Sequence, residues 1–208
     1  MALLDWSGMP IHEAIKADWK TPELLIEGSL NCAKTTVALD KEVDALLRWP
    51  GIPILLFRWT EDALSTKLRP VFESILSIRG VGSEWDAKQK RYTLENGSIA
   101  YAFGLKAVSD VERYNKIRGL GVHRIMGDQV EEMERSVADE LRARLRPDLM
   151  GTVTGKNFPF QLTFVANPSD DEFWLSRQFP TDNRIKGRKL YSLCVFDNKH
   201  LPQESIDS

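Results

Sequence analysis

The chain has 208 residues, 42% hydrophobic and 28% charged, an ordinary globular composition with length for one sizeable core. Its formal net charge of −2 excludes an overall basic field that would draw the protein onto nucleic acid. Any DNA contact must therefore come from a local patch or another domain.

No run approaches the roughly 18 apolar residues a membrane helix needs, and the opening residues do not read as a signal peptide. Cys32 and Cys194 lie far apart, without metal-like spacing, and the three histidines are scattered. All five read as structural, in a reducing compartment.

Residues 1–21, with Trp6, Pro10 and Trp19, are expected to form a helix with irregular flanks. The apolar run Leu24-Leu25-Ile26 then predicts a strand that ends at Gly28, crosses a tight polar loop and enters a helix at Ala33. From Gly28 to Thr35 the spacing fits G-x-x-x-x-G-K-[ST], with Ala33 in place of the second glycine. A loop of this kind holds a triphosphate. The backbone along Gly28, Ser29, Asn31, Cys32, Ala33, Lys34, Thr35 and Thr36 would wrap the phosphate oxygens, and the helix N-terminus adds partial positive charge. Lys34, expected to face solvent, would reach the β- and γ-phosphates, and the Thr35 hydroxyl would ligate Mg²⁺. A methyl group at Ala33 is tolerable if the backbone there is right-handed. The bland alternative is an ordinary strand–turn–helix.

Apolar spacing continues the helix to Trp49-Pro50-Gly51, and residues 52–57 read as a buried parallel strand. Arg58-Trp59-Thr60 follows at the strand end where α/β sheets place ligands. Thr60 caps a helix through Leu64, Leu68, Val71, Phe72, Ile75 and Leu76, with Lys67 and Arg69 on its polar face. Residues 91–94 and 98–104 flank Asn96-Gly97 and predict a β-hairpin. Residues 107–118 are expected to be part helix and part loop. Residues 122–128 form a strand ending in Asp128. The helix after it is expected to be acidic at its start (Glu131, Glu132, Glu134) and basic at its end (Arg142, Arg144, Arg146), with Pro147 as the stop. Residues 151–155 read as a mobile loop. A strand over 160–166 runs into Asn167-Pro168, a short helix covers 172–179, and a strand covers 190–196. The pattern is α/β: one domain with a mostly parallel sheet flanked by helices and an inserted β-hairpin.

Further chemistry lines up with the loop. Asp128 would hold Mg²⁺ through water, with a nearby carboxylate orienting the attacking water. Asn167 would sense the γ-phosphate. Arg58, Arg113 and Arg118 are candidates to neutralise transition-state charge. Each has a dull reading alone: surface acid, turn asparagine, solvated arginines.

Taken in order, these segments resemble the ATPase domain of the large terminase subunit of tailed bacteriophages. The residues that carry the likeness are Gly28 to Thr36, Leu55-Leu56-Phe57-Arg58, Glu95-Asn96-Gly97-Ser98-Ile99 with Phe103-Gly104-Leu105, and Ile117-Arg118-Gly119-Leu120. They continue with Asp128-Gln129-Val130-Glu131-Glu132-Met133, 139–146, Ala166-Asn167-Pro168, Phe173-Trp174-Leu175 and 196–202. The resemblance implies a P-loop NTPase fold of the additional-strand class and Mg²⁺-dependent ATP hydrolysis coupled to translocation of double-stranded DNA. The implied setting is a homo-oligomeric ring on the procapsid, monomeric in isolation. Its partners would be the portal protein and small terminase subunit, its place the cytoplasm of the infected bacterial host, with no membrane involved.

In that reading Lys34 and Thr35 bind phosphate and metal, Asp128 is the metal acid and Asn167 the coupling residue. Arg118 falls where some members carry an arginine finger that reaches a neighbouring subunit. In many P-loop ATPases the segment before the first strand packs on the adenine. Trp6 or Trp19 would suit that, although anchoring the terminus to the core is the expected role. Three departures stand out: Ala33 for glycine, Leu30 where an arginine is common, and Gln129 where a glutamate follows the acid. A neutral amide takes no proton from water, so the base passes to Glu131 or Glu132, with Glu131 preferred. Residues 1–208 are expected to be one ATPase domain with 1–21 packed on it, and the family's nuclease domain to be absent. Rival readings are a helicase-like DNA-dependent ATPase and a degenerate nucleotide-binding assembly module.

Overall fold

Leu24-Leu25-Ile26 and Ile54-Leu55-Leu56-Phe57 are buried on both faces, a burial that only the middle of a helix-covered parallel sheet provides. The computed structural model describes residues 4–106, 112, 115, 117, 120–145, 158–168 and 173–201. It contains an eight-stranded sheet: β1 (Glu23–Gly28), β2 (Pro53–Arg58), β3 (Ser83–Asp86), β4 (Arg91–Leu94), β5 (Ile99–Gly104), β6 (Arg124–Asp128), β7 (Gln161–Ala166) and β8 (Arg188–Leu193). The strand order is β3-β4-β5-β2-β6-β7-β1-β8. From β5 to β8 every neighbour is parallel, and β3 and β4 add an antiparallel edge. Strand β7 thus stands between β1, which leads into the glycine loop, and β6, which ends in Asp128, the strand order expected from the resemblance.

Helices α1 (Pro10–Ala17), α2 (Lys34–Arg48) and α3 (residues 61–78) cover one face of the sheet. Helices α4 (Arg135–Arg142) and α5 (Trp174–Gln178) cover the other. Thr60 caps α3 as expected, its hydroxyl accepting the Ala63 N–H at 3.1 Å. The helix then widens into a π-turn over Leu64–Leu68, where the Arg69 N–H bonds the Leu64 carbonyl. Pro70, one residue on, has no N–H to continue the ladder, which accounts for the widening.

The tight turn of the hairpin is present, with Gly97 at φ +81°. Strand β3 was not expected, because Ser83-Glu84-Trp85-Asp86 has one apolar residue. It pairs because Trp85 packs on Tyr92, with ring centroids 4.6 Å apart, under the Arg69 guanidinium at 3.8 Å.

One helix was placed wrongly. After Asp128 the chain makes a single 3₁₀ turn (Val130–Glu132), extends at Met133, and begins α4 only at Arg135. Gln129, at φ +54°, breaks the right-handed run at its start. Glu131 and Glu132 therefore lie on a turn and not on the expected helix. Smaller shifts are the start of β6 at Arg124, of α5 at Trp174, and the end of β8 at Leu193. The segment 107–118 lies mostly outside the described residues, and Arg146, Pro147 and the 151–155 loop lie wholly outside them.

Both early tryptophans act as anchors. Trp6 is buried, donates to Asp40 at 2.7 Å and stacks on His12. Trp19 meets Trp49 edge-on, with Lys41, Arg48 and Arg124 over its ring at 5.2–5.9 Å.

The start of β6 is braced from inside. Arg124 forks onto Glu42 of α2 at 2.6 and 2.7 Å and also donates to Gln161 at 2.8 Å. Arg124 and Glu42 have 0% and 1% side-chain exposure, so this bidentate pair is wholly desolvated.

Candidate functional site

Strand β1 delivers the glycine loop to the carboxyl edge of the sheet. A Cβ at Gly28 would stand 2.5 Å from the Leu193 carbonyl and 2.7 Å from Cys32 Sγ, so only glycine lets β1 and its loop press against β8. The Ser29 N–H bonds that same Leu193 carbonyl at 3.3 Å. On the other side, His12 Nε2 donates to the Cys32 carbonyl at 2.9 Å, and Asn198 Nδ2 to the Asn31 carbonyl at 2.7 Å. Burial pushes the Cys32 thiol up, so the cysteine is packing and not a nucleophile.

The loop backbone turns left-handed twice, at Asn31 and Ala33, both φ +63°. Ala33 thus fails the condition, a right-handed backbone, under which a methyl group is easily tolerated there. The position keeps the conformation that favours glycine, and alanine holds it at a strain of about 1–2 kcal/mol. Lys34 also departs from expectation. It is 8% exposed rather than solvent-facing, and its Nζ donates to the Ser29 carbonyl at 3.1 Å, folding the side chain back over the loop.

A cavity of about 350 Å³ opens over this loop. Its walls bring together residues far apart in sequence: Lys34 and Thr35 from α2, Arg58 from β2, Lys67 from α3, and Asp128 and Asn167 from β6 and the end of β7. At its floor Asp128 is held on both oxygens. Oδ1 accepts the Thr35 hydroxyl at 2.7 Å, and Oδ2 accepts Arg58 Nη1 at 2.7 Å. Burial raises the Asp128 carboxyl above its ordinary range, against the pull of Arg58, Thr35 and Lys34.

Glu131 is half-buried and accepts Asn167 Nδ2 on Oε1 at 2.7 Å, while its buried Oε2 has no hydrogen-bond partner. Burial raises this carboxyl too. Glu132, the alternative, is exposed. Gln129 also lines the cavity, and its amide oxygen accepts Arg58 Nη2. Arg113 and Arg118 lie outside the described residues.

Lys67 escaped the sequence reading. Helical periodicity put it on a polar face, and only the π-turn shows which way that face looks. A second cavity, about 240 Å³, adjoins the loop and is lined by Trp6, Asn31, Ala33, Thr36, Asn198, His200 and Leu201. The His200 ring Nε2 donates to the Asp5 carbonyl at 2.8 Å, tying this wall to the N-terminal segment. Among these residues the sequence offered only Trp6 as an adenine contact.

Solved structures share this fold. The large terminase of a thermophilic bacteriophage superposes with a TM-score of 0.79 at 18% identity, over 93% of this chain and 47% of that one. The same protein has been crystallised with ADP and with ATP-gamma-S. The Thermus phage P74-26 large terminase ATPase domain gives 0.62 at 12% identity, over 88% and 79% of the two chains. The N-terminal domain of the DNA packaging ATPase from bacteriophage phi29 gives 0.52 at 16%, over 84% and 89%. This chain spans about half the length of the first of these terminases. No family model and no curated sequence matches it.

Proposed function

We propose that this chain is the ATPase motor domain of a viral DNA-packaging terminase, hydrolysing ATP to drive double-stranded DNA into a procapsid. The observation that carries the reading is the Thr35–Asp128 hydrogen bond, which joins the glycine loop to an acid 93 residues away at the floor of one cavity. The likeness in fold to phage terminase ATPase domains supports it.

Phosphates would lie along the loop from Gly28 to Thr36, with Lys34 turning from Ser29 toward them. The base fits the adjoining cavity beside Trp6 and His200. The donor set suits Mg²⁺: a hydroxyl and a buried carboxylate are hard oxygen ligands. Among the described residues no three His, Cys, Asp or Glu side chains cluster, so protein groups alone supply no cage. Mg²⁺ of the kind that keeps its waters and leans on substrate phosphates fits such a site. Bound there, it would neutralise charge on the phosphate oxygens.

Glu131 is the group to orient and deprotonate water. One oxygen is fixed by Asn167, the other is unpartnered, and its raised pKa suits a base. Asn167 would link that carboxylate to the state of the γ-phosphate. Gln129 is removed from this role by its bond to Arg58. In a ring of such subunits on the portal, with the small terminase subunit delivering DNA, Arg118 or Arg113 would complete a neighbour's site. The place of action is the cytoplasm of an infected bacterium. No helix among the described residues is long and apolar enough to cross a membrane.

The test is Lys34→Met, which keeps the length of a buried side chain. Affinity for a non-hydrolysable ATP analogue, measured calorimetrically, should fall on the order of a hundredfold, about 2.7 kcal/mol. Unchanged affinity sinks the phosphate-loop assignment. Tight binding by the wild type with no turnover of Mg-ATP would instead mark a degenerate nucleotide-binding module.

A further inference from the structure

Arg58 occupies the position in the cavity where a cation is needed. It is 6% exposed at the carboxyl end of β2, beside the end of β6. Nη1 holds Asp128 Oδ2 at 2.7 Å, Nη2 holds the Gln129 amide oxygen, and Nε is buried without a partner. Asp128 Oδ1 already accepts the Thr35 hydroxyl. The guanidinium therefore sits on the one Asp128 oxygen that Thr35 leaves open, and it supplies the positive charge a buried carboxylate requires.

A guanidinium and a divalent cation held by the same carboxylate, directly or through water, repel each other strongly. Yet the Arg58 side chain lines the same cavity as the loop lysine, so a short swing carries its charge from the acid to bound phosphate. Gln129 suits the exchange. Its left-handed backbone aims the side chain at Arg58, and its neutral amide holds the arginine less firmly than a carboxylate would.

Resting on the nucleotide reading above, we propose that Arg58 is an internal counter-ion for Asp128 that metal loading displaces, releasing it to hold the terminal phosphate. Its place signals whether metal has arrived. Gln129 is the weak second latch.

The experiment is a Mg²⁺ titration of ADP and ATP-analogue binding by calorimetry, with circular dichroism to check folding. Arg58→Gln removes the competitor, so the Mg²⁺ concentration for half-maximal ADP binding should fall about tenfold, and tighter binding of the ATP analogue than of ADP should be lost. Gln129→Gly removes only the second latch, at a backbone position glycine favours. It should lower the Mg²⁺ midpoint about threefold and keep the ATP preference. Because Gln129→Gly leaves the Arg58–Asp128 pair in place, it decides the matter even if Arg58→Gln fails to fold. Nucleotide binding with an unmoved Mg²⁺ midpoint in Gln129→Gly overturns the inference alone. Absence of nucleotide binding by the wild type overturns the functional reading and this inference together.

Discussion

At the start of β6, Arg124 forks onto Glu42 with both oxygens engaged; at its end, Asp128 divides its two oxygens between Thr35 and Arg58. The two carboxylate–guanidinium contacts share a strand and a packing helix, since α2 supplies both Glu42 and Thr35. They differ in the backbone around them. The first places both Glu42 oxygens on one planar partner. Each leaves one buried guanidinium nitrogen unpaired, Arg124 Nη1 and Arg58 Nε, but only the second has three left-handed residues, Asn31, Ala33 and Gln129, around its cavity. Left-handed backbone gathers at one end of a strand whose other end is clamped. A rigid brace on one side lets the other side keep groups ready for a ligand.

Separate substitutions should split the two ends. Glu131→Gln is expected to lower ATP turnover by about 10²–10⁴ while nucleotide affinity stays, because a base is lost and a phosphate contact is not. Glu132→Gln, on an exposed side chain, should be near wild type. A steady-state assay with both variants decides it, and normal turnover in Glu131→Gln would mean that another group holds the water. The same variant carries a pH signature. Burial raises the Glu131 carboxyl, so the folded state favours its protonated form, and that stability is lost as pH rises through the raised pKa. Glu131→Gln should thus melt above wild type near neutral pH, by about one or two degrees, with the gap closing toward acid.

At the clamped end, Glu42→Ala leaves Arg124 buried without its carboxylate and should cost about 3–5 kcal/mol of stability. Urea unfolding measures this. A loss under about 1 kcal/mol would reduce the pair to the standing of a surface ion pair. Nucleotide affinity of the folded fraction should not move.

The smallest effect is expected at Ala33→Gly. Relieving a left-handed alanine should stabilise the protein by about 1 kcal/mol, read as a shift in the urea midpoint. A destabilised variant would mean that the methyl contact is worth more than the strain.

Much of this was legible in the residues. Continuous apolar runs located the central strands and helical spacing located α2 and α3, the loop spacing picked out Lys34 and Thr35, and the end of an apolar strand picked out Asp128. The failures share a cause: each turned on backbone handedness or on tertiary pairing. Gln129 at φ +54° redirected the chain after Asp128, so Glu131 and Glu132 lie on a turn and not on the expected helix. Ala33 kept a glycine's conformation. Strand β3 exists because Arg69, on a helix that precedes it, lies over Trp85. Lys67 faces the cavity through a π-turn that no hydropathy pattern reports.

The neighbours of β1 have a consequence for how the chain folds. Residues 23–28 pair on one side with 161–166 and on the other with 188–193, so the strand that aims the glycine loop has no sheet partner until those distant segments have been made. Contacts of such sequence separation close slowly, and an apolar strand waiting with both edges open invites mispairing. The loop is synthesised well before Leu193 and Asn198, two of the residues that hold it in shape. On the function proposed above, nucleotide would therefore act only on chains that have already closed the sheet.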